Sequence, residues 1–359
     1  MKIKNQFIKI MFAITLAITT FSCDDNNNVE IAKLPTIVEI AQADPASFST
    51  LSEALKRTQL LATASNPGSI TVFAPTNAAF AAYVSPSPST AFPAGITLTS
   101  SSPALTSTQE TELRSLLRNH ILGVGTKAAD ILASRYVKTF AAGVGTTTLS
   151  MFVNQTGSDV LINGGVTNGG AKVIKADIDA SNGIVHVVDN VIKLPKILNH
   201  VIANPDLSTL VTVVTSTSGT FGNQAAVATA LGGNGPLTVF APLNSAFTTA
   251  TTGSGFLTGA NLTGPNVTKV LQYHVSSGNL TSSSATSWTA NTATSNVTIT
   301  TLAQNSVPAA QTFLITLGTV KITELPAQTG VPASNIKFVN IQATNGVIHT
   351  IDRVLQPVL

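Results

Sequence analysis

Residues 69 to 80 read SITVFAPTNAAF, and residues 236 to 247 read PLTVFAPLNSAF, with Thr71 and Thr238 lying 167 positions apart. A second pair of passages follows in the same order. SNGIVHVVDNVIKLP starts at Ser181 and TNGVIHTIDRVLQP at Thr344, which puts Gly183 and Gly346 163 positions apart. Between the two pairs, Leu113, Leu116, Leu117 and His120 answer to Val267, Val270, Leu271 and His274. Three landmarks repeated in one order indicate a duplication, and a period of about 160 residues is a domain rather than a solenoid unit. The repeats are expected at residues 34–195 and 197–359. The joint Lys193-Leu194-Pro195-Lys196 is too short for a flexible linker, so the two domains should abut in a fixed orientation.

Within each repeat the periodicity changes from helical to extended. Phe48, Leu51, Leu55 and Ala62 space as one helix face, and Ser107-Thr108-Gln109-Glu110 reads as a capping box opening a helix that runs to about Leu122. Strand patterns follow at residues 149–153, 160–163, 171–178 and 184–192, then at 297–301, 313–317, 320–323, 336–341 and 347–355. Asn163-Gly164, Asn182-Gly183 and Asn345-Gly346 are turn signals between such runs. Helices first and strands later argue for an α+β domain whose helices pack on an antiparallel sheet system. The stretch from Val84 to Ser107 has no counterpart in the second repeat and reads as a surface loop.

The VFAP passage and the Asn-Gly passage, with a helix between them that ends in Tyr-His or a related dipeptide, resemble the fasciclin domain. The resemblance covers almost the whole chain after residue 33. It implies two tandem domains, each a wedge-shaped β-sandwich flanked by helices, and a role in extracellular adhesion to cells, matrix or polysaccharide. The Tyr-His dipeptide belongs to an adhesive surface in animal relatives, which points to Tyr273 and His274 and, with Asn in place of Tyr, to Asn119 and His120. Asn77 and Asn244 stand where many relatives carry an Asp tied to receptor recognition. Asn can cap the helix that follows but lacks the charge, so an animal-type receptor role is not implied.

Other motif residues read as structural. His186 and His349 sit in apolar strands, three positions before Asp189 and Asp352. Residues three apart on a strand face opposite sides, so neither pair forms a relay. Each histidine is expected to be hydrogen-bonded inside the sheet, and each Asp to close a turn or pair with a nearby base. Pro75 and Pro242 end a strand where an amide hydrogen is dispensable. His200 is expected at the boundary between the domains. No catalytic, cofactor or metal site is assigned: the nucleophile elbow Gly-x-Ser-x-Gly is absent, and the histidines lack local metal-binding spacing.

The 359-residue chain carries 19 Lys and Arg against 16 Asp and Glu, a formal charge of +3. Lys2, Lys4 and Lys9 supply that excess, and they precede an apolar run from Ile10 to Phe21 that is too short to span a bilayer, which takes about 20 residues. Residues 1–22 therefore read as an export signal. The sole cysteine, Cys23, follows in a context that resembles a bacterial lipobox, although Phe21 is bulkier than usual there. Asp24-Asp25 looks like the acidic export signal of some surface lipoproteins of Bacteroidetes-type bacteria. Residues 23–33 would be a polar tether from a lipid anchor at Cys23, placing the protein on the cell envelope, on the outer membrane and facing outward. The second repeat holds only Lys269, Lys321, Lys337 and Arg353 against Asp206, Glu324 and Asp352, too few cations for nucleic acid. A hydroxyl- and amide-rich surface suits a surface protein, matrix component or glycan. The leading expectation is thus a non-enzymatic adhesion lipoprotein. The alternatives are a hydrolase or carbohydrate-processing enzyme on the same scaffold, and a structural envelope spacer.

Overall fold

The computed structural model describes residues 33–84, 92, 95–130, 135–251, 256–258, 261–282, 296–304, 310–316, 319–325 and 331–359. The export signal, Cys23 and the tether up to residue 32 lie outside the described residues.

The first repeat contains five α-helices and seven strands. In chain order these are α1 (Ile37–Ala43), α2 (Pro45–Arg57), α3 (Leu61–Ser65), β1 (Ile70–Pro75), α4 (Asn77–Ala81), α5 (Ser107–Arg118) and β2 (Ile121–Leu122). Then come β3 (Arg135–Ala142), β4 (Thr148–Thr156), β5 (Asp159–Ile162), β6 (Ala171–Ala180) and β7 (Gly183–Val188). The second repeat gives the same sequence of elements. It runs α6 (Ile197–Ala203), α7 (Ser208–Val214), α8 (Ala225–Gly232), β8 (Leu237–Pro242), α9 (Asn244–Thr251), α10 (Gly264–Tyr273) and β9 (Val275–Ser277). Its strands continue as β10 (Asn296–Gln304), β11 (Ala310–Thr316), β12 (Lys321–Glu324), β13 (Ser334–Ala343) and β14 (Gly346–Ile351). The fold is α+β in each copy. Among the described residues no helix is long and apolar enough to cross a membrane.

Strand order is also shared. In the first repeat the ladder runs β1 to β7 and closes on itself, because β7 pairs parallel with β1. In the second, β10 to β14 continue through β8 to β9 and, among the described residues, the ladder stops there. The Ser276 hydroxyl instead reaches the Thr300 carbonyl of β10 at 2.7 Å.

The VFAP strand is buried on both faces, which is why it reads as a continuous apolar run. On β1, Val72 and Ala74 face the helices and pack with Phe48, Leu51, Leu113 and Leu117. Phe73 points the other way, into a core formed by the sheet itself with Met151, Val153 and Ile162. The second repeat divides in the same manner: Val239 and Ala241 join the helical core, and Phe240 joins Tyr273, Phe313 and Ile322. Each repeat therefore has two apolar layers with one sheet between them.

Several local expectations need correction. The capping box of α5 is one residue earlier than its sequence pattern indicates: Thr106 accepts from the Gln109 amide and Gln109 accepts from the Thr106 amide. The helix stops at Arg118 so that Ile121 and Leu122 can pair with β1. The face carrying Phe48 to Ala62 is split between α2 and α3 by a turn in which Gln59 adopts φ 59°. The described part of the insertion is not wholly a surface loop. Ile96 and Leu98 are buried in the helical core, and Arg57 donates to the Thr99 and Ser102 carbonyls at 2.8 and 2.9 Å.

The Asn-Gly turns have a demanding geometry. Gly183 and Gly346 adopt φ +151° and +144°, and a Cβ there would lie 2.0 Å from the Ile70 carbonyl oxygen or 1.9 Å from that of Leu237. Only glycine lets the parallel partner approach so closely. The preceding asparagines fasten the helical layer to the sheet. Asn182 accepts from the Ile37 amide and donates to the Ala64 and Asn66 carbonyls, tying down the start of α1 and the end of α3. Asn345 does the same with Ile197, Leu231 and Gly233.

Candidate functional site

Four of the residues expected on an adhesive surface are buried. Asn119 and Tyr273 are 0% exposed, and His120 and His274 are 2% and 3% exposed. These four side chains therefore present no adhesive surface, and the reason is the helix face they occupy, one turn beyond Leu116 and Val270. His120 Nδ1 donates to the Leu116 carbonyl at 2.8 Å while Nε2 accepts from the Ile192 amide at 2.9 Å. His274 repeats this with Val270 at 2.7 Å and Leu355 at 2.9 Å. One nitrogen donates and the other accepts, so both rings are held neutral, and burial pushes each pKa down to about 4. Asn119 donates to the Lys193 carbonyl, whereas the Tyr273 hydroxyl donates to the Thr312 carbonyl at 2.7 Å. The dipeptide fixes the end of its helix.

Asn77 and Asn244 are half-buried. Asn77 is not the cap of α4, since Thr76 accepts from the Ala79 amide in that role. Asn77 instead accepts from the Thr50 amide and donates to Pro45, Ala46 and Ser49, stapling α4 to α2. Asn244 makes the corresponding bonds to Thr209, Pro205 and Ser208.

His186 and His349 stack on Phe73 and Phe240 at centroid distances of 5.5 and 5.4 Å. Nε2 of His186 donates to the Thr126 carbonyl at 2.8 Å and Nδ1 accepts from the Asp177 amide at 3.2 Å. For His349 the partners are Leu280 at 3.0 Å and Asn340 at 3.3 Å. Burial lowers both pKa values, that of His349 to about 4. The donors to Nδ1 sit at φ 59° and 60° in bulges of β6 and β13, a left-handed conformation that Asp and Asn tolerate. Sequence order gives no hint of these partners, which only the bulge brings under the ring. Asp189 accepts from the Lys172 amide at 2.8 Å. Asp352 accepts from the amide and side chain of Asn335 and lies 3.1 Å from Lys337. Burial opposes ionisation there, but these partners hold Asp352 below the usual carboxylate range. Pro75 and Pro242 close β1 and β8 opposite Val188 and Ile351. Among the described residues no three His, Cys, Asp or Glu side chains gather as a metal site.

The junction of the repeats is the place that sequence patterns missed. Lys193 and Pro195 are bound from both sides: the Lys193 amide donates to the Gly169 carbonyl at 2.8 Å, and Thr344 donates to the Pro195 carbonyl from its amide and hydroxyl. Further along, Lys138 of β3 donates to the Asn340 carbonyl at 2.8 Å and to Ser150 at 3.1 Å. The Ser150 hydroxyl accepts from the Gln342 amide at 2.9 Å. His200, 0% exposed, packs edge-on against Tyr136 at 5.6 Å, donates to the Gln342 carbonyl at 3.2 Å and has its pKa pushed down to about 4 by burial. Beside these contacts lies a cavity of about 280 Å3, walled by Arg135, Tyr136, Lys138, Asn204, Asp206 and Phe338 among others. Arg135 Nε is buried there without a hydrogen-bond partner among the described residues. The local sequence signal is the set of strand-favouring residues Tyr136, Val137, Thr139 and Phe140, which marks a strand but not what faces it.

The Fasciclin domain family model matches residues 46–195 and again 205–357. Protein sll1483 of Synechocystis sp. is 36% identical over 160 residues, covering 45% of this chain and 74% of that protein. Transforming growth factor-beta-induced protein ig-h3 of Oryctolagus cuniculus is 36% identical over 138 residues, 38% of this chain but only 17% of its own length. Among solved structures, a FAS1 domain pair from the insect cell adhesion molecule Fasciclin I aligns over 86% of this chain and 98% of its own, with a TM-score of 0.44 and 17% identity.

Proposed function

The chain belongs to the fasciclin domain family, and on that premise we propose that it is a non-enzymatic surface protein that attaches the cell to matrix, polysaccharide or a neighbouring surface. The observation that carries this reading is the double family match across residues 46–195 and 205–357. The histidines support it, because both ring nitrogens of His120, His186, His274 and His349 are committed to backbone groups, and the His200 Nδ1, which has no partner among the described residues, is buried away from solvent. Export and anchoring are part of the same proposal. The lysines at 2, 4 and 9, the apolar run and Cys23 would deliver the chain to the envelope and hold it there through lipid. Two domains per chain and many chains per cell would turn weak single contacts into firm attachment.

Glycan and matrix-protein arrays probed with the purified chain test the adhesive role. A reproducible, saturable signal on one class of ligand is expected, and silence on both arrays overturns the proposal. Cys23→Ala tests the anchor separately: the variant should move from the membrane to the soluble fraction, and continued membrane retention refutes lipidation.

A further inference from the structure

The two repeats differ in residue type where they meet. Thr139 and Thr301 occupy the same place, each donating its hydroxyl across the ladder to the Leu149 or Gln311 carbonyl and accepting from Ala141 or Ala303. Counting back from that pair, Arg135, Tyr136 and Lys138 stand where the second repeat has Val297, Thr298 and Thr300. Similarly, Phe338 pairs with Thr350 on β13 and β14 where Lys175 pairs with Val187 on β6 and β7. The duplication thus supplies its own control. Two cations and two aromatic rings gather at the junction, and the same positions away from it carry Val, Thr and Lys.

Packing one repeat on the other accounts for only part of this set. Tyr136 fills space beside His200, its hydroxyl donating to the His200 carbonyl at 3.3 Å, and Lys138 bridges to Asn340 and Ser150. Arg135 is not explained: its Nε is buried in the cavity wall and unpartnered among the described residues, an arrangement that costs free energy until an acceptor reaches it. Nor is Phe338, which lines the cavity yet is 61% exposed. Among the described residues neither Arg135 nor Lys138 is in an ion pair. Asp206 adds one acceptor to the same wall.

The chemistry of the wall selects among ligands. A bare phosphate or carboxylate would use the cations and leave the rings and Asp206 idle. A neutral sugar would stack and hydrogen-bond but leave the cations unmatched. A volume of about 280 Å3 is near the lower end of small-molecule pockets, which begin at about 300 Å3, and suits one or two sugar rings. We propose that the cavity between the repeats binds a uronate unit of an acidic polysaccharide. Its carboxylate meets Arg135 and Lys138, its hydroxyls meet Asp206, and its ring lies against Phe338 and Tyr136. This rests on the adhesive reading above and narrows it to one class of partner.

Calorimetric titration of the full chain with digalacturonate, maltose and a blocked glutamyl peptide tests the assignment. Digalacturonate should bind at least tenfold more tightly than the other two. Arg135→Gln, which removes no existing hydrogen bond, should weaken it at least tenfold with the melting temperature unchanged. Phe338→Ser should weaken maltose and digalacturonate alike. Equal binding of maltose, tighter binding of the peptide, absent binding of digalacturonate, or an unchanged affinity in Arg135→Gln each overturns the proposal. The array experiment separates the two levels: array signals that survive Arg135→Gln leave adhesion standing and remove this cavity as its site. An array-silent chain that still binds digalacturonate does the reverse.

Discussion

Acid should unfold this protein through its histidines, and the effect can be worked out from their surroundings. His120, His200, His274 and His349 are buried, and burial holds each pKa at about 4 against 6.5 for a free imidazole. A group whose folded pKa is depressed is protonated first in the unfolded chain. Its contribution is therefore fully present above pH 6.5 and is lost as the pH falls from 6.5 towards 4. Near pH 5 the unfolded state binds almost one more proton per histidine, worth about 1.4 kcal/mol per pH unit each, so four give a slope of about 5 kcal/mol per pH unit. Buried Glu324, its pKa raised by desolvation, acts in the opposite sense but is one group against four. With about 5–15 kcal/mol typical of a native protein, unfolding is expected near pH 5, well above the range where carboxylates alone would drive it. Urea denaturation followed by circular dichroism at pH 7, 6 and 5 measures the slope directly. His274→Leu should lower stability at neutral pH, because it strands the Leu355 amide and the Val270 carbonyl, and should also reduce the slope by about a quarter. Stability that stays flat from pH 7 to pH 5, or a slope indifferent to His274→Leu, would refute the reasoning.

Other consequences can be checked in parallel. Asn182→Ala removes three hydrogen bonds between sheet and helices, two of them buried, and should cost about 3 kcal/mol in urea unfolding, with Asn345→Ala matching it in the second repeat. Gly346→Ala drives a Cβ against the Leu237 carbonyl oxygen and should cost more than about 4 kcal/mol, seen as loss of soluble protein on expression. Gly143→Val is aimed at the junction, since even a Cβ there would meet Gln342 Cγ and Thr147 Oγ1 at 2.6 Å. It should change the solution scattering profile while each repeat keeps its secondary structure by circular dichroism.

The sequence alone settled the duplication, the α+β class and the family, because those rest on patterns that repeat along the chain: VFAP, Asn-Gly and the His-bearing helix each occur twice. It also identified His186 and His349 as strand residues, since apolar neighbours on both sides leave no other element. Which atoms those rings bond was not legible, for the donors come from bulges at Asp177 and Asn340 whose place under the ring depends on strand register. Periodicity likewise put His120 and His274 on an apolar helix face, yet the carried-over surface role of the Tyr-His dipeptide failed here because that face is covered by Ile192 and Leu355, about 70 and 80 residues away in the chain. The junction was least visible of all. Arg135 and Phe338 lie 203 positions apart, one in each repeat, and each looks unremarkable in its own strand. Only the packing of β13 against β4 brings them to one cavity, and there a charge and a ring that local sequence would assign to solvent acquire a common purpose.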